Sequence, residues 1–296
     1  MKLRRSMMFM PGNNPGMLQS AGIYGTDTVI FDLEDSVSIG EKDAARHLVA
    51  NAIKYISRPC EVAVRPNHLS TPYGLDDLKA ILPSKPDLIR LPKVETADEI
   101  KRVEELINEA EIKNNFPAGS IKMMGAIETA KGLMKAYDIA TASLRMVALA
   151  IGGEDFIADL KTSRTKSGRE LFVARGQLIL AARAAGIQAI DTVFSDVSDD
   201  EGLFNETVMI KEMGFDGKSI VNPRQMRIVH EIFTPTTKEI EYAERVIAAN
   251  NDAKARGLGV VSLNGKMIDT PIVDRAERVL AYAAAVNGNR GGNNHE

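Results

Sequence analysis

At 296 residues, with 44% hydrophobic and 26% charged side chains, the chain is too apolar for disorder and long enough for two ordinary domains or one large barrel. Its 37 basic and 40 acidic residues leave a net charge of -3, so no global positive field points to nucleic acid or an anionic membrane as a partner. A single cysteine, Cys60, and four scattered histidines exclude an internal disulfide framework and a Cys- or His-rich metal centre; a metal here should be a hard cation on oxygen ligands.

The basic start Met1-Lys-Leu-Arg-Arg5 leads into an apolar run that ends at Pro11, too short for a signal-peptide core. No other apolar stretch approaches the roughly 20 residues of a membrane span, and a cytoplasmic protein is expected. Eight short apolar or β-branched runs recur, at Ser6–Met10, Thr28–Leu33, Glu61–Val64, Leu88–Leu91, Lys122–Ile127, Arg145–Ile151, Gln188–Val193 and Lys218–Val221. Most are continuously apolar, as strands covered on both faces of a parallel sheet are. Helical patterns lie between them, at Glu41–Ile56, Thr96–Asn114, Glu170–Ala185 and Asp200–Met213, and Gly186 and Gly214 stop the last two. A further helix is predicted at Pro223–Phe233. Eight strands alternating with helices predict an α/β fold, a TIM (β/α)₈ barrel, over an open doubly wound sheet, whose glycine-rich nucleotide fingerprint does not follow the first strand.

Beyond the barrel, Thr236-Thr-Lys-Glu239 reads as a capping box opening a helix to about Ala255. Val260–Leu263, Asn264-Gly265 and Lys266–Ile268 form a hairpin signal, and Pro271 opens a last helix to about Val286. The predicted organisation is a barrel over residues 1–233, a C-terminal helix–hairpin–helix extension over 234–288 and a flexible polar tail over 289–296.

A (β/α)₈ barrel carries its active site at the C-terminal ends of the strands. The polar residues there are Asn13, Asp32, Glu34, Asp35, Arg65, Asn67, Lys93, Glu128, Glu154, Asp155 and Asn222. One carboxylate at a strand end is most often a helix cap or a surface ion pair. Acids converging from strands two, five and six are more specific, because they repel one another unless protonated, paired with Arg65 and Lys93, or bound to a divalent cation. Glu128 and Asp155, each directly after an apolar strand, are the pair expected to hold Mg²⁺, which keeps several waters and needs few protein ligands. Lys93 would suit a Schiff-base aldolase, but an ion pair with Asp32 or Glu34 is the expectation. Cys60 reads as an inert core thiol, and His47 and His230 as packing or surface residues. The stretch Asp159–Gly168 is a basic, hydroxyl-rich loop on the same rim. It is a solvated connection, or Lys161, Arg164 and Lys166 grip phosphates of a large substrate or carrier.

Several segments together carry a resemblance. Arg5-Ser-Met-Met-Phe-Met-Pro-Gly12, Phe31-Asp-Leu-Glu-Asp35, Val64-Arg-Pro-Asn67, Leu91-Pro-Lys-Val-Glu95, Ile127-Glu-Thr-Ala130, Gly217-Lys-Ser-Ile-Val-Asn-Pro-Arg-Gln225 and Gly265-Lys-Met-Ile-Asp269 resemble the citrate lyase beta subunits of the HpcH/HpaI aldolase superfamily. The likeness runs from about residue 4 to 286, with no departure at the motif positions. It implies a TIM barrel and a lyase acting on citryl thioesters, with Mg²⁺ on Glu128 and Asp155. It also implies substrate binding by Arg65 and Glu128, and a catalytic Asp269 that reaches a neighbouring subunit's site from the extension. The implied partners are a transferase (alpha) subunit, an acyl carrier (gamma) subunit and further copies of the chain, as a trimer or hexamer. A stand-alone malyl-CoA or citramalyl-CoA lyase, an acyl-CoA thioesterase and a non-catalytic scaffold subunit are the alternatives; the intact Glu128, Asp155 and Arg65 set speaks against the scaffold.

Overall fold

Eight parallel strands close a barrel in the order in which they occur: β1 (Ser6–Pro11), β2 (Thr28–Asp32), β3 (Glu61–Arg65), β4 (Leu88–Leu91), β5 (Lys122–Ile127), β6 (Met146–Ile151), β7 (Gln188–Asp191) and β8 (Gly217–Ile220). The structure is a computed structural model that describes residues 1–55, 60–257, 261–263 and 266–291. β8 pairs back onto β1 through Ser6↔Lys218 and Met8↔Ile220, which closes the ring. The TIM-like α/β architecture is therefore the predicted one, and every strand falls on its predicted run with ends shifted by at most two residues.

Helices α1 (Pro15–Gln19), α2 (Lys42–Tyr55), α3 (Gly74–Ile81), α4 (Ala97–Lys113), α5 (Ala130–Met134), α6 (Ala136–Ala140), α7 (Gly153–Asp159), α8 (Arg169–Ala184), α9 (Asp200–Met213) and α10 (Pro223–Phe233) surround the barrel. The longer ones start and stop for local reasons. Thr96 and Glu99 satisfy each other's backbone N–H groups as a capping box on α4. Gly214, at φ 106°, ends α9 in a left-handed conformation that residues with a Cβ avoid. The short helices α1, α3, α5, α6 and α7 have no counterpart among the predicted helices, since five to eight residues give too few turns for a periodic pattern.

Strand periodicity decides what the barrel mouth contains. Met7, Ile30, Ala63, Leu88, Met124, Ala148 and Ile190 fill the barrel interior as a buried apolar cluster. Side chains two residues apart share a face of a strand, so the next inward positions are Phe9, Asp32, Arg65, Arg90 and Thr192. All five line one cleft of about 350 Å³, with Glu128, four residues past Met124, completing the ring.

The chain divides into two compact units, one of residues 4–230 and the other of residues 231–296 with 1–3. In the second unit, α11 (Thr237–Ala255) begins at the Thr236/Glu239 capping box, and the antiparallel strands β9 (Val261–Leu263) and β10 (Lys266–Ile268) precede α12 (Thr270–Gly291). Its own core holds Ala243, Val246, Ile268, Val273 and Ala276. The Asn264-Gly265 turn of the expected hairpin lies outside the described residues. α12 continues to Gly291, past the expected stop near Val286, because Ala281 to Ala285 is a run of strong helix formers that one glycine at 288 does not end; residues 292–296 lie outside the description. Among the described residues no helix is long and apolar enough to cross a membrane.

Candidate active site

The end of β2 and the end of β3 are tied by charge. Arg65 donates from Nε to Asp32 Oδ1 at 2.7 Å and from Nη2 to Asp32 Oδ2 at 2.8 Å. Its third nitrogen, Nη1, lies 3.0 Å from Glu34 Oε2 and 3.2 Å from Asp35 Oδ2. Burial works against the Asp32 charge, but the hydrogen bonds and charge of Arg65, with the N–H groups of Ser36 and Glu34, hold its carboxyl below the usual range. Lys42 Nζ donates to the carbonyls of Leu33 and Glu34, both at 2.8 Å, so the acidic loop is braced from below as well.

Lys93 donates to Glu34 Oε1 at 2.7 Å and stands 3.8 Å from Asp155 Oδ1. Partial burial disfavours its ammonium, yet the hydrogen bond to Glu34 and the charges of Glu34, Asp35 and Asp155 push its pKa up. A Schiff-base lysine needs the opposite shift. Glu34 is itself pushed up, chiefly by burial, with Arg65 and Lys93 opposing.

Glu128 follows β5 and is only 2% exposed. Its Oε2 is buried without a hydrogen-bond partner. Burial, then the nearby charges of Glu34 and Asp155, raise its carboxyl to about 8 against the pull of Arg65 and Lys93. A carboxyl so placed suits a cation as its counter-charge. The backbone opposite leaves it little room: a Cβ on Gly152 would come within 2.6 Å of Glu128 Cγ, so only glycine fits there. Asp155 lies in the first turn of α7, with a side chain 46% exposed and facing the same cleft. Gly153 donates its N–H to Thr192 Oγ1 at 2.8 Å, which fixes the start of α7 against the end of β7.

In the basic loop, Arg164 is tied to the protein itself while Lys161 and Lys166 are not buried. Arg164 is occupied as a clamp, donating to Glu206 Oε2 at 3.1 Å, to Glu154 Oε1 at 3.3 Å and to the Val193 carbonyl at 3.3 Å. Lys161 and Lys166 are exposed. Glu206 in turn accepts from Lys218, whose Nζ also donates to Asp191 at 2.8 Å, and Arg175 closes this buried network from α8.

Arg65, Glu128 and Asp155 thus meet in one cleft. Asp269 belongs to the other compact unit, where it is exposed between β10 and α12 and accepts the Ile272 N–H at 3.3 Å. The residues that sequence reasoning passed over are Phe9 and Arg90. Arg90 sits inside the apolar run Leu88-Ile-Arg-Leu91, and its signal was a charge two residues after an inward-facing leucine.

A family model described as HpcH/HpaI aldolase/citrate lyase matches residues 5–223. The chain is 50% identical to a citrate lyase subunit beta of Leuconostoc mesenteroides subsp. cremoris, over 96% of this chain and 94% of that one. It is 48% identical to a citrate lyase subunit beta of Haemophilus influenzae, over 96% and 98% respectively. Among solved structures, the protein CitE of Mycobacterium tuberculosis, in complex with magnesium, acetoacetate and coenzyme A, superposes with a TM-score of 0.78 at 30% identity, covering 95% of this chain and 98% of that one.

Proposed function

The chain belongs to the HpcH/HpaI aldolase/citrate lyase family, and on that premise we propose that it is a lyase that cleaves a citryl thioester into oxaloacetate and an acetyl thioester, as the beta subunit of a citrate lyase. The observation that carries this reading is Glu128: a buried carboxylate with one oxygen unpartnered, beside a second carboxylate, Asp155, at the mouth of the barrel. That donor set suits a hard divalent cation whose remaining positions go to water and substrate. Among the described residues no group of three or more His, Cys, Asp or Glu side chains is placed to hold a metal ion, so the reading rests on the two carboxylates alone.

Glu128 and Asp155 would hold Mg²⁺. When bound, the ion supplies Lewis acidity, lowering the pKa of the substrate's tertiary hydroxyl and fixing the neighbouring carboxylate. The reaction breaks the bond between the hydroxyl-bearing carbon and the carbon next to the thioester. The hydroxyl loses its proton, its C–O bond becomes the ketone of oxaloacetate, and the bonding pair moves onto the thioester as an enolate that is then protonated. Arg65, rigid on Asp32 and close to Glu128, presents fixed positive charge where the negative charge develops, and it costs no reorganisation during the reaction. Lys93 pairs with Glu34 at the rim at 2.7 Å. Asp269 is the proton carrier of this proposal, delivered from a neighbouring copy, and the chain works as a homo-oligomer with a transferase subunit and an acyl carrier in citrate fermentation in the cytoplasm.

The test is direct. Purified protein given citryl-CoA should release oxaloacetate and acetyl-CoA, lose that activity in EDTA and regain it with Mg²⁺. Release of free citrate without a keto acid would instead make it a thioesterase.

A further inference from the structure

Two arginines share one aromatic ring at the barrel mouth. The Arg65 guanidinium lies 4.8 Å from the centre of Phe9 and that of Arg90 lies 5.0 Å from it. Their electrostatic situations are opposite. Arg65 has its three nitrogens committed to Asp32, Glu34 and Asp35. Arg90 is only 3% exposed and makes one hydrogen bond, from Nη1 to Ser219 Oγ at 3.0 Å. Its Nε is buried without a partner, and among the described residues no carboxylate forms an ion pair with it. Both side chains line the same cleft.

A buried cation with no directly paired carboxylate is costly, and a ligand carboxylate can complete it. Here burial and the like charge of Arg65, against the more distant charges of Glu128, Asp32 and Glu34, push the Arg90 guanidinium down to about 10, which still leaves it charged at neutral pH. Ser219 holds one edge of the fork, and the strand fixes its direction, since Arg90 stands two residues after inward-facing Leu88. The geometry suits an oxyanion, and a substrate carboxylate can fill it because a planar guanidinium with a free edge can take a carboxylate on two nitrogens.

We infer that Arg90 is the specificity-determining residue of the pocket, binding the second carboxylate of the substrate, the one on the –CH₂–COO⁻ arm that remains on the keto acid after cleavage. This rests on the lyase reading above and sharpens it. The carboxylate beside the tertiary hydroxyl goes with the cation on Glu128 and Asp155, and Arg65, held by Asp32, faces the developing enolate. The distal arm is left with Arg90 as its partner. A substrate whose arm ends in a methyl group leaves the Arg90 charge buried and unpaired, so the site selects against it as well as for the dicarboxylate.

The test compares citryl-CoA with the analogue in which the –CH₂–COO⁻ arm is a methyl group, using the full chain with Mg²⁺. Wild type should prefer citryl-CoA in kcat/KM by about 10²-fold, Arg90→Met should reduce that ratio about 10²-fold, and Arg90→Lys should restore part of it. If Arg90→Met lowers both substrates equally and the ratio stays within about threefold of wild type, the assignment is overturned. Should Arg90→Met fail to fold, inhibition of the wild type decides: oxaloacetate should bind at least about tenfold more tightly than pyruvate, and equal inhibition overturns the assignment. Wild type that cleaves neither thioester overturns the lyase reading itself. Wild type that cleaves both without preference overturns only the role of Arg90.

Discussion

Arg65 and Asp32 form a two-point pair across the ends of β3 and β2, with both hydrogen bonds under 3 Å and both side chains nearly buried. The pair joins neighbouring strands at the height where the cleft begins, so it sets the direction of the guanidinium. Asp32→Asn keeps the shape but removes the charge and turns an amide N–H₂ toward a donor. We expect a loss of about 1–3 kcal/mol in stability and about 10²-fold in kcat. Chemical denaturation and steady-state kinetics on the same preparation check this; unchanged kinetics would show that Arg65 is not oriented by Asp32.

Gly152→Ala is the sharpest steric probe of the site. The added methyl group would stand 2.6–2.8 Å from Cγ, Cδ and Oε1 of Glu128, and the carboxylate must move because the barrel backbone does not. Overpacking of this kind costs about 1–3 kcal/mol, so the variant should fold. Its Mg²⁺ affinity should fall at least about tenfold and its activity at least about 10²-fold, because a displacement near 1 Å at a reacting centre has that effect. A magnesium titration that matches wild type would remove Glu128 from the proposed ligand set.

Glu128→Ala and Asp155→Ala separate ligation from folding. Neither residue takes part in the buried network of Arg175, Asp191, Glu206 and Lys218, which lies on the outer face of β7 and β8. Both variants should keep wild-type circular dichroism, and each should lose about 10³-fold or more in activity. Removing Glu128 also removes a buried, largely uncompensated carboxylate, so Glu128→Gln in the metal-free protein should be as stable as wild type or more so. A lower melting temperature for metal-free Glu128→Gln would contradict the orphaned position of Oε2.

How much of this was legible in the sequence follows from the range of each interaction. The eight strands are readable because parallel strands buried on both faces leave continuous apolar runs, and Glu128 as a candidate because it stands where such a run stops, whereas Asp155 lies four residues past β6 in the first turn of α7. The pairing of Arg65 with Asp32 joins residues 33 apart, and only their shared position at strand ends hinted at it. Arg164 shows the opposite case. Its charge suggested a phosphate ligand, whereas its partner Glu206 lies 42 residues away, and nothing local announces a contact of that span. Arg90 was hidden for a third reason: inside an apolar run it read as part of a strand, and its meaning appears only when strand periodicity is anchored by knowing that Leu88 faces inward.

Acid stability should depend on Glu111, far from the cleft. It accepts hydrogen bonds from Arg145 Nη1 at 2.9 Å and Nη2 at 2.6 Å, and from the backbone N–H groups of Gly119 and Ile121, both at 2.9 Å. Burial works against the charge, but Arg145 and the two N–H groups outweigh it and bring the carboxyl from 4.5 down to about 2. A depressed carboxyl pKa means that the unfolded chain binds the proton more readily than the folded one. The stabilisation is therefore fully present above about pH 4.5 and is lost as pH falls towards 2; it amounts to about 3 kcal/mol at neutral pH, of which about half is gone by pH 3. Glu111→Gln should accordingly lower stability by at least that amount at pH 7, where it also leaves buried Arg145 with weaker partners, and by much less at pH 3. Urea unfolding of both proteins at the two pH values measures the difference, and a gap that does not shrink between pH 7 and pH 3 would mean that the Glu111 charge contributes nothing to the fold.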